Sequence, residues 1–158
     1  MHPNAERIQE LLTELGSVAR VRELAASTRT SVEAAQAIGT TVAQIAKSLL
    51  FIAGDEPILI IASGTNRVSI EKIGRQTGRH LRRATADEVK EHTGYPIGGT
   101  PPIGHVSPLR MFIDPDLLAF GEIWAAAGTP YAVFSITPAE LLRITGGQVT
   151  DLKDERVG

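Results

Sequence analysis

The chain contains no cysteine. Disulfides, thiolate metal sites and a cysteine nucleophile are excluded together, and a cytosolic setting fits. A dominant charge is also missing. Sixteen Lys and Arg stand against 18 Asp and Glu, for a formal net charge of -2 and a pI of about 6.1. This is not the profile of a strongly basic nucleic-acid binder, so any RNA contact must be local. Long apolar runs are absent too. The longest, Leu49 to Ala53 and Pro57 to Ala62, fall far short of the ~20 residues a membrane helix needs. The N-terminus, MHPNAERIQELLTELG, is amphipathic and does not read as a signal peptide. Internal repeats and low-complexity stretches are lacking.

Several catalytic signatures are missing as well. There is no G-x-x-x-x-G-K-[ST] phosphate loop and no dinucleotide fingerprint. A G-x-S-x-G elbow is absent. His2, His80, His92 and His105 are scattered without an H-E-x-x-H pair, so no metal site is expected. What remains is 158 residues of ordinary globular composition, read as a single domain over 1–158.

Helix signals are plentiful. Asn4 is placed to cap a first helix carrying Ile8, Leu11, Leu12 and Leu15 on one stripe, with Gly16 ending it. Thr30 with Glu33, Thr41 with Gln44, and Thr85 with Glu88 read as capping boxes. Ser69 caps 70–76. Thr137, Pro138 and Glu140 open a last helix, which Gly146 and Gly147 end. Between them, 47–53 and 57–63 form a hairpin around Gly54-Asp55-Glu56, both strands reading as buried on two faces. Shorter strands are expected near 81–83, 110–113, 122–126, 131–136 and 148–152. The mixture predicts an α+β fold: a mixed, mainly antiparallel sheet or partly closed barrel flanked by helices.

One long irregular stretch stands out, TGYPIGGTPPIGHVSP over 93–108. It interleaves Gly94, Gly98, Gly99 and Gly104 with Pro96, Pro101, Pro102 and Pro108. Glycine permits close approach to the backbone and proline stiffens the chain. The product is a shaped loop whose peptide N–H groups can hold an anion or a developing oxyanion. The same composition also makes ordinary surface turns.

The run Gly94-Tyr95-Pro96-Ile97-Gly98-Gly99-Thr100-Pro101-Pro102-Ile103-Gly104 resembles the signature loop of YbaK/prolyl-tRNA-synthetase-associated domains. Ala46-Lys47-Ser48-Leu49-Leu50-Phe51 resembles the family's lysine-bearing strand, and Phe112-Ile113-Asp114 a third family segment. The resemblance spans roughly 31–144. It implies a trans-acting hydrolase that cleaves the ester of mischarged aminoacyl-tRNA, a proline tRNA carrying cysteine, alanine or a similar small residue. It implies no cofactor and no metal. The partners would be the 3′ acceptor end of the tRNA and, as a further candidate, prolyl-tRNA synthetase. A non-catalytic tRNA- or nucleotide-binding module on the same fold is the alternative.

Lys47 is the hallmark residue on that likeness, with Gly98, Gly99 and Thr100 as the opposite, catalytic wall. Tyr95, Pro102, Gly104, His105, Asp114 and Ser48 are candidate substrate-binding residues. Each has a plainer reading: packing for Tyr95 and Ser48, a structural or exposed histidine for His105, a turn for Asp114. Asn66 and Arg67 read as a turn or as contacts to the tRNA terminus. The cluster Arg79, His80, Arg82 and Arg83 is either a patch for RNA phosphate or a solvated edge strand. The loop Gly-Gly-Thr-Pro-Pro departs from the Ser or Val placements of some subgroups, which leaves the amino acid open.

Overall fold

A computed structural model describes residues 1–156. Helix α1 (Pro3–Glu14) is followed by strand β1 (Val21–Glu23), α2 (Ser31–Ile38), β2 (Ala46–Ala53) and β3 (Glu56–Ser63). Next come α3 (Ile70–Thr77), β4 (Leu81–Arg83), α4 (Ala86–Thr93) and β5 (Arg110–Ile113). Then β6 (Ile123–Ala126), β7 (Ala132–Ile136), α5 (Pro138–Thr145) and β8 (Gln148–Val149) complete the order. The strands form two sheets. One is five-stranded, β4-β2-β3-β5-β8, and the other three-stranded, β1-β7-β6. The pairs β3–β5 and β5–β8 are parallel, while the others are antiparallel. The barrel does not close; a single bridge between Ile45 and Trp124 ties the sheets together.

The β2–β3 hairpin is the spine. Its register pairs Lys47 with Ala62 and Ala53 with Glu56 around a two-residue turn. β3 is buried from Ile58 to Ser63, as expected for a strand covered on both faces. β2 departs from that expectation: Lys47, Ser48 and Leu49 are only half-buried. The cause lies on the other edge of β2. Ala84 N–H donates to Leu50 O at 3.1 Å where β4 begins its pairing, and the Trp124 bridge lies at Ile45. Between these two neighbours the edge around Ser48 is left facing a gap.

The core follows the alternation of β2 and β3. Leu50, Leu59 and Ile61 join α1 residues Ala5, Ile8 and Leu12 with Phe134 and Leu141. Phe51, Ile58 and Ile60 face the opposite way with Ile73, Leu81 and Phe112. Helix caps largely match the sequence signals. Thr30, Ser69, Thr85 and Thr137 each accept from a backbone N–H of the first turn, and Thr85–Glu88 closes a full capping box. The 41–44 signal instead makes a short 3-10 turn, because the Gln44 side chain is taken by Thr40, Thr41 and Glu122 O. At α1 the cap is His2, not Asn4. Pro3 at the first helical position moves the start two residues back, and His2 Nδ1 accepts from Asn4 N–H at 3.0 Å. Asn4 instead donates to Gly128 O. The last expected strand shrinks to two residues, and β1 has no counterpart among the expected strands.

Candidate active site

The gap beside β2 opens into a hollow of about 440 Å³. Lys47 and Ser48 line it from β2, Gly98 and Thr100 from the glycine/proline loop, and Thr28 to Ser31 from the segment entering α2. Trp124 of β6 completes the wall, with the Arg22 guanidinium stacked 5.4 Å from its ring centre. On the other side of Lys47 lies a wider groove of about 840 Å³. Lys47, Gly64 and Arg83 border both spaces. The groove carries four cationic side chains, Lys47, Arg67, Arg83 and Lys153, against the acidic Asp154 and Glu155. A chain of net charge -2 thus concentrates positive charge at one place.

Lys47 reaches this junction because the hairpin carries it, half-buried, at the start of β2. Its Nζ donates to Gly64 O at 3.4 Å. Burial lowers its pKa from the ordinary lysine value, and the positive charge of Arg83 adds to that; Asp114 pulls the other way. The lysine is therefore a cation short of a full counter-charge, which favours an incoming anion.

Asp114 does not line either space. It is 1% exposed, and its carboxylate organises the 63–66 turn. Oδ2 accepts from Ser63 N–H at 3.0 Å and Asn66 Nδ2 at 2.8 Å, and Oδ1 from Asp116 N–H at 2.9 Å. Gly64 sits in that turn because nothing larger fits. A Cβ there would lie 2.3 Å from Val42 O and 2.9 Å from Ser31 Cβ.

The loop is shaped by one carbonyl. Pro96 O accepts from Gly99 N–H at 3.0 Å and from Thr100 Oγ1 at 3.1 Å. Gly99 N–H is thereby committed, whereas Gly98 and Thr100 N–H find no acceptor among the described residues. Gly98 has φ +82, and a Cβ on Gly99 would collide with the Thr129 backbone at 2.7 Å. Gly99 is thus the loop's seat on the turn before β7.

The remaining candidates stand behind the loop. Tyr95 is fully buried beneath it. Pro102 is buried and outside the hollow's lining. Gly104 packs near Ile8, Leu11 and the Tyr95 hydroxyl. His105 is half-buried, and its Nε2 donates to Pro101 O at 2.7 Å. Burial lowers its pKa, with that hydrogen bond partly offsetting the shift. It braces the loop and does not enter the hollow. The basic cluster divides: Arg82 is taken by Glu88, while Arg83 lies over Phe51 and borders the groove.

Residues 25–144 match the aminoacyl-tRNA editing domain. The chain belongs to this family. It is a family of aminoacyl-tRNA deacylases. The crystal structure of a candidate trans-editing enzyme for prolyl-tRNA synthetase superposes with a TM-score of 0.92 at 50% identity, over 98% of this chain and 99% of that one. The uncharacterized protein YwhH of Bacillus subtilis (strain 168) is 34% identical over 82% of this chain and 83% of its own length. A proline–tRNA ligase of Ligilactobacillus salivarius (strain UCC118) is 33% identical over 56% of this chain, which takes in 16% of the ligase. Among the described residues, no group of three or more His, Cys, Asp or Glu could hold a metal. No described helix is long and apolar enough to cross a membrane.

The family member's hollow contains residues that motif reading missed. Thr28, Arg29, Ser31 and Trp124 line it, yet Thr30 alone drew notice, as a helix cap. The signal was present: Ser27-Thr28-Arg29-Thr30-Ser31 is a dense run of hydroxyls.

Proposed function

We propose that this protein hydrolyses the ester of a mischarged aminoacyl-tRNA in trans, the amino acid being small and the tRNA a proline acceptor. The observation that carries the reading is the position of Lys47, at the junction of a smaller hollow and a cationic groove. The similarity to proteins named for prolyl-tRNA editing and prolyl-tRNA synthesis supports the choice of tRNA.

The groove suits the terminal adenosine and its phosphodiester; the hollow suits the aminoacyl group. The ester then passes beside Lys47 and the free N–H groups of Gly98 and Thr100. Those N–H groups stabilise the oxyanion, a contribution on the order of a hundredfold in rate for one good donor. Lys47 holds the phosphate and fixes the ester in place. Water attacks the carbonyl carbon, the bond to the ribose oxygen breaks, and that oxygen takes the water's proton. Among the described residues, no carboxylate or histidine lines the hollow; His105 is engaged with Pro101 O. A ribose hydroxyl of the substrate is the proton relay.

The test is deacylation of a panel of proline tRNAs charged with alanine, cysteine, serine and threonine, by wild type and Lys47→Ala. Hydrolysis of at least one charge is expected, falling at least about a hundredfold in the variant. Failure on every charge, with tRNA still bound, would establish the non-catalytic binding module instead.

A further inference from the structure

The chain has four lysines, Lys47, Lys72, Lys90 and Lys153. Two are held by carboxylates: Lys72 Nζ lies 2.9 Å from Asp151 and Lys153 Nζ 3.0 Å from Asp116. Lys90 is exposed and donates to Gly94 O at 3.1 Å. Lys47 is half-buried and reaches Gly64 O at 3.4 Å, with no carboxylate in contact among the described residues. The groups that face it are mostly of its own sign. Arg83 comes from β4, Arg67 from the turn after β3 and Lys153 from the C-terminal segment, all bordering the same groove. Asp114 acts on it from behind that turn. The groove's own acids are turned to other cations: Asp154 Oδ1 accepts from Arg156 N–H at 3.0 Å, and Glu155 lies 3.8 Å from Lys72 Nζ. Neither Arg67 nor Arg83 forms an ion pair among the described residues.

Two consequences meet at Lys47 Nζ. An amine is nucleophilic only without its proton, and this one gives its proton up more readily than an ordinary lysine, through burial first and the charge of Arg83 second. The two unpaired arginines also draw anions into the groove beside it. A reagent with a phosphate bonded directly to an activated acyl carbon suits both features. We propose that Lys47 is a modification site, acylated on Nζ by acyl phosphates, and that acylation switches the site off. Arg67 and Arg83 hold the phosphate. Nζ attacks the carbonyl carbon, the bond from that carbon to the phosphate oxygen breaks, and phosphate leaves with the electron pair. The nitrogen gives its proton to water, and an uncharged amide remains. Loss of the charge removes the anion site, and the added acyl group occupies the junction of hollow and groove. The place of modification is independent of the deacylase reading; the loss of deacylation rests on it.

The experiment incubates the full chain with acetyl phosphate and reads the acetylated fraction of each lysine by mass spectrometry of its peptides. Lys90, exposed and without an ion pair, is the internal standard. Lys47 should react at least about tenfold faster than Lys90, the lower end of what a charged cleft does for the local concentration of an anion. Added AMP should protect Lys47 and leave Lys90 unchanged. The double variant Arg67→Gln, Arg83→Gln, shown to be folded by its thermal melt, should bring the ratio of the two rates toward one. The uncharged donor p-nitrophenyl acetate should show a smaller preference for Lys47. Equal rates at Lys47 and Lys90, or a preference that persists unchanged in the double variant, would overturn the assignment of the site. For the switch, protein acetylated at Lys47 should lose AMP affinity, and deacylation should fall in step with the modified fraction. Unchanged AMP affinity at full Lys47 acetylation overturns the switch. The mass and AMP readouts decide the proposal even where the unmodified chain cleaves no tRNA ester.

Discussion

Replacing Gly99 with alanine adds one methyl group at the seat of the loop. That Cβ would fall 2.7, 2.9 and 3.0 Å from the carbonyl carbon, Cα and N of Thr129. Carbon atoms settle at roughly 3.5–4.0 Å, so about 1 Å must be found. All three opposing atoms are backbone, and no rotamer change relieves the contact. Either the loop or the turn before β7 has to retreat. Overpacking of this kind costs ~1–3 kcal/mol, which lowers the melting temperature of a domain this size by about 2–4 °C per kcal/mol. The effect on rate is larger. Gly98 and Thr100 flank the seat, and displacing oxyanion donors by ~1 Å costs on the order of a hundredfold. Gly98→Ala is the control. Its strain comes from φ +82 and from the Arg29 side chain, whose Cγ would be 2.5 Å away. Arg29 is exposed and can move, leaving about 1–2 kcal/mol of backbone strain. Melting curves and deacylation rates for both variants decide the matter. A Gly99→Ala protein with wild-type melting and wild-type rate would refute the argument, because the loop would then not be seated on Thr129.

Two further outcomes follow from the same geometry. Asp114→Ala strands two backbone donors, Ser63 N–H and Asp116 N–H, and takes one of the two acceptors of Asn66 Nδ2, which keeps Asp116 Oδ2; it should cost about 3 kcal/mol in chemical denaturation, and a loss below about 1 kcal/mol would mean that water replaces the carboxylate. Lys47 tests the pH dependence. Its folded pKa lies below the ordinary lysine value, so the unfolded chain binds the proton more tightly, and stability rises with pH between the folded value and about 10.5. Affinity for a phosphate-bearing fragment such as AMP runs the other way, full below the lowered pKa and lost as pH rises through it. Lys47→Met should melt no lower than wild type at pH 7 while losing AMP affinity; a lower melt would make Lys47 a structural residue.

Much of this fold was legible because its signals are local. Thr85 with Glu88 and Thr137 before Pro138 mark helix starts wherever they occur, and the buried run 57–63 has few alternatives to a central strand. The strands at 81–83 and 110–113 fell at their observed limits for the same reason: turn residues bound them. β1 was missed because Val21–Glu23 pairs only through β7, a partner more than a hundred residues away. The site divides the same way. Lys47 and the loop could be singled out by composition and likeness. The place of Thr28 and Trp124 beside Ser48 depends on how two sheets diverge from β2, and that lies in the topology. His105 illustrates the converse: a titratable residue next to a functional loop attracts a catalytic role, while its hydrogen bond to Pro101 O ties it to the loop's outer side.

The arrangement also accounts for the want of a catalytic triad among the described residues. An aminoacyl ester is already activated, so the demand on the protein is position and charge more than nucleophilicity. A rigid loop supplies the first. Gly99 anchors it on Thr129, His105 holds Pro101, and Pro96 O closes the turn, all away from the substrate side. The second is supplied by a lysine denied full compensation: Arg83 and Arg67 crowd it, while Asp114, its counter-charge, is occupied by three N–H donors. Giving Lys47 a direct carboxylate partner would stabilise the fold and fill the anion site. The uncompensated lysine costs stability in the free protein and gains its counter-charge from a bound anion.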